Sequence, residues 1–430
     1  MIRAGVQIPP SATMDIQERI KDTERQLKEH ATQMGARTDN PLGILIMGYG
    51  MGRLSILREV RDGSLQETER QQQTLPLHPS KLQDTEMRRH LWLSKNLWNE
   101  LLAHAKQVYE ATKKFPKKTD LQSMVKGKDM YSQTQQCVSH RVFESIKRVF
   151  TLKKKGLSCG FPRFKSFDRM KSLQYPQSGF KLGAKLKVTP FGEISIKQHR
   201  DIKGEVKTLA LKREGSGKWY AIFTAEEEVT PKKNRGKQVG IDLGLKSFAT
   251  LSNGEVIQNP RHLRQHEDKL AFLQRNLSRC EKGSKNRYKV KHKVAVLHER
   301  VADTRRDFLH KLSTTLTSHY SKIVMEDLAP KQMSEKSFGK SIHDAGWGMF
   351  SNMIRYKAES AGCEAVFVDP KNTTKECSKC GTLSKKHLWD RIHDCPSCGY
   401  SADRDLNAAQ VILKRATLGH SGCNACGVGA

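Results

Sequence analysis

The sequence predicts a multi-domain α/β chain. Its 430 residues exceed what one ordinary core holds. Residues 181 to 229 alternate apolar and polar side chains between turn signals, the pattern of a strand-rich, barrel-like module. Beyond them, apolar strands and long helices alternate from Val239 to Leu328, which calls for helices packed on a sheet.

Charge narrows the function. Lys and Arg number 76 against 45 Asp and Glu, a net charge of +31, so a polyanionic partner is expected. Hydrophobic residues at 37% leave enough aliphatic surface to exclude wholesale disorder. The longest apolar run, Leu42 to Met47, is far below the roughly 20 residues of a membrane span. The first thirty residues are charged and lack an apolar stretch, so no secretory signal is expected and the location predicted is cytoplasmic, associated with the nucleoid. In that compartment the 10 cysteines read as thiols or metal ligands.

Residues 1–72 carry no net charge, so the whole excess lies downstream. Asp15 to His30 is rich in helix formers, and Asn40-Pro41 breaks the chain. Gly48 to Arg53 is glycine-rich but lacks the Gly-Lys-Ser/Thr ending of a phosphate loop. After Pro79, Ser80 is a candidate N-cap and Gln83 completes a capping box, with Asp84 and Glu86 in the first turn. Leu91, Leu93, Leu97, Trp98, Leu101 and Leu102 then form an apolar stripe opposite Arg88, Arg89, Lys95 and Lys106. A second helix is expected over Ser139 to Leu152. Phe161 to Lys165 reads as an extended basic and aromatic segment suited to a nucleic-acid backbone. Val239 to Thr250 reads as a strand pair, closed by the hairpin turn Ser252-Asn253-Gly254. Residues 262 to 320 read as two basic helices broken near Gly283-Ser284, and Ser321 to Leu328 as a buried strand.

Two constellations carry chemistry. Cys377-Ser-Lys-Cys380-Gly and Cys395-Pro-Ser-Cys398-Gly are two knuckles whose four thiolates close a tetrahedral Zn²⁺ site, leaving no open position, so the metal is structural. His387 and His393, between the knuckles, read as solvated loop residues. Cys423 and Cys426 lack a partner pair. The second constellation is a set of carboxylates in unusual places. Asp242 interrupts the buried-strand pattern Val239 to Gly244, Glu326 closes the apolar strand Ile323 to Met325, and Asp403 and Asp405 start a helix. Read from spacing alone, they fit either one Mg²⁺ pair acting on a phosphodiester or separate ion pairs and caps.

Gly240-Ile241-Asp242-Leu243-Gly244, Met325-Glu326-Asp327-Leu328, Asp369-Pro370 with Thr373-Thr374, the two knuckles and Asp403-Arg404-Asp405-Leu406-Asn407-Ala408-Ala409 resemble, in order and spacing, the RuvC-like region of the transposon-encoded TnpB proteins. Gly346-Trp347-Gly348 with Tyr356-Lys357-Ala358, Phe161 to Lys165 with Tyr175-Pro176-Gln177, and Gly217-Lys218-Trp219-Tyr220 extend the resemblance over roughly residues 77 to 426. It implies an RNase H-like (RuvC) nuclease domain with an inserted zinc ribbon, a β-barrel wedge module and a helical recognition region. The implied division is a leader over 1–72, the helical region over 73–160, the wedge over 161–232, the nuclease domain with its basic helices over 233–376, the ribbon over 377–400, a final helix over 401–415 and a tail over 416–430.

The implied activity is cleavage of target DNA directed by a guide RNA, beside a short transposon-adjacent motif. Asp242, Glu326 and Asp405 would be the Mg²⁺ ligands, with Asp403 the weaker choice for the third. The basic helices would line the channel of a guide–target duplex read by shape rather than sequence. A DNA-binding protein that no longer cuts, and a strand-transferring transposase, are the competing readings. In place of the basic and aromatic first strand of that family stands Thr68-Glu69-Arg70-Gln71-Gln72-Gln73, so the wedge is expected to lack this strand.

Overall fold

The structure, a computed structural model, describes residues 55–59, 65–228, 234–329, 333, 339–387 and 389–417. The expectations for Asp15 to His30, Gly48 to Arg53, and Cys423 with Cys426 lie outside the described residues. Strand β1 (Ser55–Glu59) falls mainly in a small unit of its own, and the main unit runs from Glu67 onward. No described helix is long and apolar enough to cross a membrane.

A nearly closed antiparallel barrel comes first. Its strands are β2 (Leu65–His78), β3 (Ser172–Tyr175), β4 (Phe180–Leu182), β5 (Leu186–Val188), β6 (Gly192–Ile196), β7 (Glu205–Arg213) and β8 (Trp219–Glu228). They lie in the order β3-β7-β8-β2-β6-β5-β4. The expected missing strand is therefore present, and it is central: β2 pairs with β8 from Thr68↔Glu228 to Leu77↔Trp219, and with β6 at Leu77 and His78. Backbone ladders do not require apolar side chains. Here Arg70 meets Glu226 at 2.8 Å and Gln71 donates to Glu227 at 2.7 Å, while Leu75 and Leu77 reach the core. A boundary at residue 73 would cut through this strand.

Between β2 and β3 the chain is helical. Helix α1 (Lys81–Thr112) opens with the expected capping box between Ser80 and Gln83. The short α2 (Lys118–Ser123) and α3 (Ser132–Lys154) follow. Met87, Leu91, Leu97, Trp98, Leu101 and Leu102 of α1 join Val138, Val142 and Ile146 of α3 and barrel residues such as Leu173, Leu211 and Phe223 in one core. Trp219 Nε1 donates to Asp84 at 2.8 Å, tying the barrel to the start of α1. The Phe161 to Lys165 segment is held by α1: Asn99 accepts from Lys165 N at 2.8 Å and donates to its carbonyl at 3.0 Å. Lys165 Nζ turns inward, 3.3 Å from the Trp98 ring centroid, and burial pushes its pKa down to about 8. Phe164 is left exposed.

The second sheet is RNase H-like. It consists of β9 (Lys237–Leu243), β10 (Ser247–Leu251), β11 (Val256–Gln258), β12 (Tyr320–Glu326) and β13 (Glu364–Val368), in the order β11-β10-β9-β12-β13. The first three are antiparallel, and β12 runs parallel to both β9 and β13. Helices α4 (Glu267–Arg279) and α5 (Lys285–His319), the second capped by Ser284, are the expected basic pair. After α6 (Gly339–Ala345) comes α7 (Trp347–Ala361).

Period-two alternation assigns the faces of this sheet. Val239, Ile241, Ile323 and Met325 pack in one core with Leu309 and Leu316 of α5 and Phe350 and Ile354 of α7. The opposite face is covered by α8 (Arg404–Thr417). Gly240 lies against this helix: a Cβ there would stand 2.1 Å from the Ala409 carbonyl oxygen. Between β13 and α8 sits the ribbon, with β14 (Ile392–Asp394) and β15 (Ser401–Asp403) paired antiparallel.

Candidate active site and cysteine cluster

Asp242 and Gly240 project to the α8 face of β9, since they are two residues apart. The parallel register Val324↔Gly240 and Met325↔Ile241 places Glu326 beside Asp242 on that same face. Both carboxylates sit at the C-terminal ends of adjacent parallel strands, and the close approach of α8 at Gly240 brings Asp405, in its first turn, toward them. Asp327 turns the other way, where Arg355 of α7 reaches it at 3.3 Å.

The electrostatics record this gathering. Asp242 is buried, and burial followed by the charges of Glu326 and Asp405 raises its pKa well above the ordinary range, against a lowering by Arg404. Burial also raises the Glu326 carboxyl. Thr373 Oγ1 opposes this by donating to it at 2.5 Å, and the Arg415 guanidinium acts in the same sense. Asp405 accepts from the neighbouring Arg404 at 2.9 Å. Asp403 is otherwise engaged: its Oδ1 accepts from the Asp405 and Leu406 amides at 2.9 and 3.2 Å, capping α8. That one oxygen serves the helix end, and the Asp403 charge also adds to the raising of Asp242.

The four cysteines converge as the sequence predicts, their Sγ atoms all within 4.8 Å of one another. Cys377 and Cys398 stand at 3.7 Å and Cys380 and Cys395 at 3.5 Å, close to the ~3.8 Å edge of a tetrahedron with 2.3 Å metal–sulfur bonds. The two knuckles have the same backbone pattern. Gly381 N donates to Cys377 O at 2.9 Å and Gly399 N to Cys395 O at 3.0 Å, with φ of 77° and 70° that glycine adopts without strain. The Thr382 hydroxyl and amide lower the Cys380 thiol to about 6, while, against the Tyr400 amide, desolvation and the neighbouring sulfurs push Cys398 up to about 12.

Among the described residues only these cysteines converge so tightly; the three carboxylates do not all meet within 4.8 Å. Their donor set still fits hard cations. Three carboxylate oxygens suit Mg²⁺, and a pair of ions about 3.5–4 Å apart spans ligands more widely spaced than a single ion does.

The histidines differ from expectation in one case. His387 is exposed and stacks on Trp389 at 4.6 Å. His393 is instead fully buried on β14, where Lys386 donates to its Nδ1. Neither joins the cysteine cluster. Thr373, Arg415, Asn407 and Gln410 were not singled out by sequence for roles of their own; only the Thr-Thr pair before Cys377 and the Asp-x-Asn-Ala-Ala string hinted at the first and third.

A sheet of this order, with a cysteine ribbon inserted before its last helix, defines a RuvC-type nuclease domain, here joined to a barrel and a helical region. Comparison with known proteins agrees. Residues 221–337 match the family described as "Probable transposase", and residues 347–412 the one described as "Cas12f1-like, TNB domain". InsQ of Escherichia coli K12, named "Putative RNA-guided DNA endonuclease", is 32% identical over 377 residues, which span 82% of this chain and 92% of that protein. A protein of the same description from Streptomyces pristinaespiralis is 38% identical over 273 residues, 61% of this chain and 67% of that one. A solved Cas12f1–sgRNA–target DNA complex shares the fold at a TM-score of 0.50 and 16% identity, over 78% of this chain and 83% of that one. The chain belongs to the TnpB family of RNA-guided DNA endonucleases.

Proposed function

We propose that this protein is a Mg²⁺-dependent DNA endonuclease encoded by a transposable element, directed by a guide RNA to cut beside a short transposon-adjacent motif. The observation that carries the reading is that two parallel strand ends bring Asp242 and Glu326 to one face of an RNase H-like sheet, where the charges of Glu326 and of Asp405, at a helix start, both act on Asp242. Mg²⁺ bound there supplies Lewis-acid stabilisation of the phosphodiester oxygens and activation of water.

The protein's own groups set the stage. Asp242 is fixed by its strand, Glu326 is oriented by the Thr373 hydroxyl, and Asp405 is presented by the capped end of α8. The four cysteines hold Zn²⁺ as a structural ion. The basic helices α4 and α5 offer charge to the phosphates of a guide–target duplex, whose sequence is read by base pairing. Retention of all three carboxylates favours cutting over a role in binding alone.

The test is to express the protein with its native downstream DNA and sequence the RNA that copurifies. A discrete, structured RNA ending in transposon-flanking sequence supports guided targeting. A mixture following cellular abundance contradicts it.

A further inference from the structure

Helix α8 faces the carboxylates on one side and the cysteine ribbon on another. Asn407 lies two residues beyond Asp405 and is fully buried. Both ends of its amide are committed to the first knuckle: Oδ1 accepts from Ser378 N at 2.9 Å, and Nδ2 donates to Glu376 O at 2.7 Å. One turn on, Gln410 Oε1 accepts from the Ser378 hydroxyl at 2.8 Å and from the Tyr400 hydroxyl, beside the second knuckle, at 3.1 Å. Arg415 adds an ion pair with Glu376 at 2.6 Å. The loop so clamped also carries Thr373, three residues before Glu376, whose hydroxyl orients Glu326.

We infer that Asn407 and Gln410 are positioning residues that seat the cysteine ribbon on α8, so that ribbon seating sets the placement of Asp405 and, through the Thr373 loop, of Glu326. The inference rests on the reading of these carboxylates as a divalent-metal site. Its physical basis is that a buried amide with both ends matched to backbone tolerates one geometry, because any slip leaves groups unpaired. Outer-shell partners of metal ligands change affinity about 10–100-fold when removed.

The two amides make opposite demands. Among the described residues Gln410 serves only as an acceptor, so a carboxylate can replace it. Asn407 must also donate to the Glu376 carbonyl, and a carboxylate there would face that oxygen without a proton.

The experiment uses full-length, zinc-loaded protein with Asn407→Ala, Asn407→Asp, Gln410→Ala or Gln410→Glu, its zinc content verified. Binding of Mn²⁺ alone is followed by electron paramagnetic resonance, and amide hydrogen exchange is followed over residues 376–383. Asn407→Ala, Asn407→Asp and Gln410→Ala are expected to weaken Mn²⁺ binding about tenfold and to speed exchange, with one zinc retained. Gln410→Glu is expected to match the unsubstituted protein in both. Mn²⁺ binding that stays unchanged while exchange rises would overturn the inference, as would Gln410→Glu behaving like Gln410→Ala. Asp242→Asn is the control for the underlying reading: full Mn²⁺ binding in that variant would fault the metal site itself, whatever the exchange data show.

Discussion

At Asp242 the chain accepts a cost in stability. Its carboxyl is buried beside Glu326 and Asp405, and its folded-state pKa stands above the unfolded value of about 3.9. The folded protein therefore binds this proton more tightly than the unfolded chain does. The stabilisation is fully present below pH ~4 and is lost as pH rises through the raised value. In Mg²⁺-free buffer at pH 7, Asp242→Asn should thus be more stable than the parent by on the order of 1 kcal/mol, with the gap closing toward pH 4. Thermal melts across that range check it, and a destabilised variant at pH 7 would contradict the account. Thr373→Val removes the hydroxyl that opposes the burial of Glu326, and should raise the Mg²⁺ concentration for half-maximal cleavage about tenfold, read from a metal titration. Asp242 and Glu326 were legible in the sequence because a charge inside an apolar strand stands out. Thr373, Asn407 and Arg415 were not, because a polar residue in a loop or helix acquires its role only from what tertiary packing brings against it.

Among the elements, α8 is positioned by an absence. The missing side chain at Gly240 lets the Ala409 carbonyl approach, and Gly240→Ala would force backbone against backbone. We expect about 1–3 kcal/mol of destabilisation in denaturant unfolding, together with loss of cleavage as Asp405 is pushed from Asp242. Local signals made other elements readable: the Ser80–Gln83 capping box lies within four residues, and Gly283-Ser284 marks a break in the basic helices. β2 was not readable, because Thr68, Arg70 and Gln72 are answered by the polar Glu228, Glu226 and Thr224 of β8, more than a hundred and fifty residues away. Composition detects strands that bury side chains and misses one held largely by its ladder. His393 was misread for a related reason, since burial within a ribbon too small for an ordinary core leaves no periodic pattern.

Across the whole molecule, the net charge of +31 and the cysteine ribbon govern behaviour. RNA affinity should fall steeply and linearly on a log–log plot of binding constant against salt, as counterion release requires. Replacing Cys377 by Ser should lower the melting temperature and release zinc; a variant that melts normally without zinc would contradict the structural role. The cysteine cluster was legible because its two knuckles are short motifs ordered along the chain, whereas the seating of ribbon on helix depends on contacts the linear pattern does not encode. In the proposed function, Asp242 and Glu326 on the sheet and Asp405 at the start of α8 together support the cutting of DNA under RNA guidance. The most direct measurement is single-turnover cleavage of a matched target by the purified protein with its copurified RNA in Mg²⁺, comparing the parent with Asp242→Ala. Cutting by the parent and none by the variant is expected, with RNA and DNA binding nearly unchanged; equal cleavage by both would rule out Asp242 as a metal ligand.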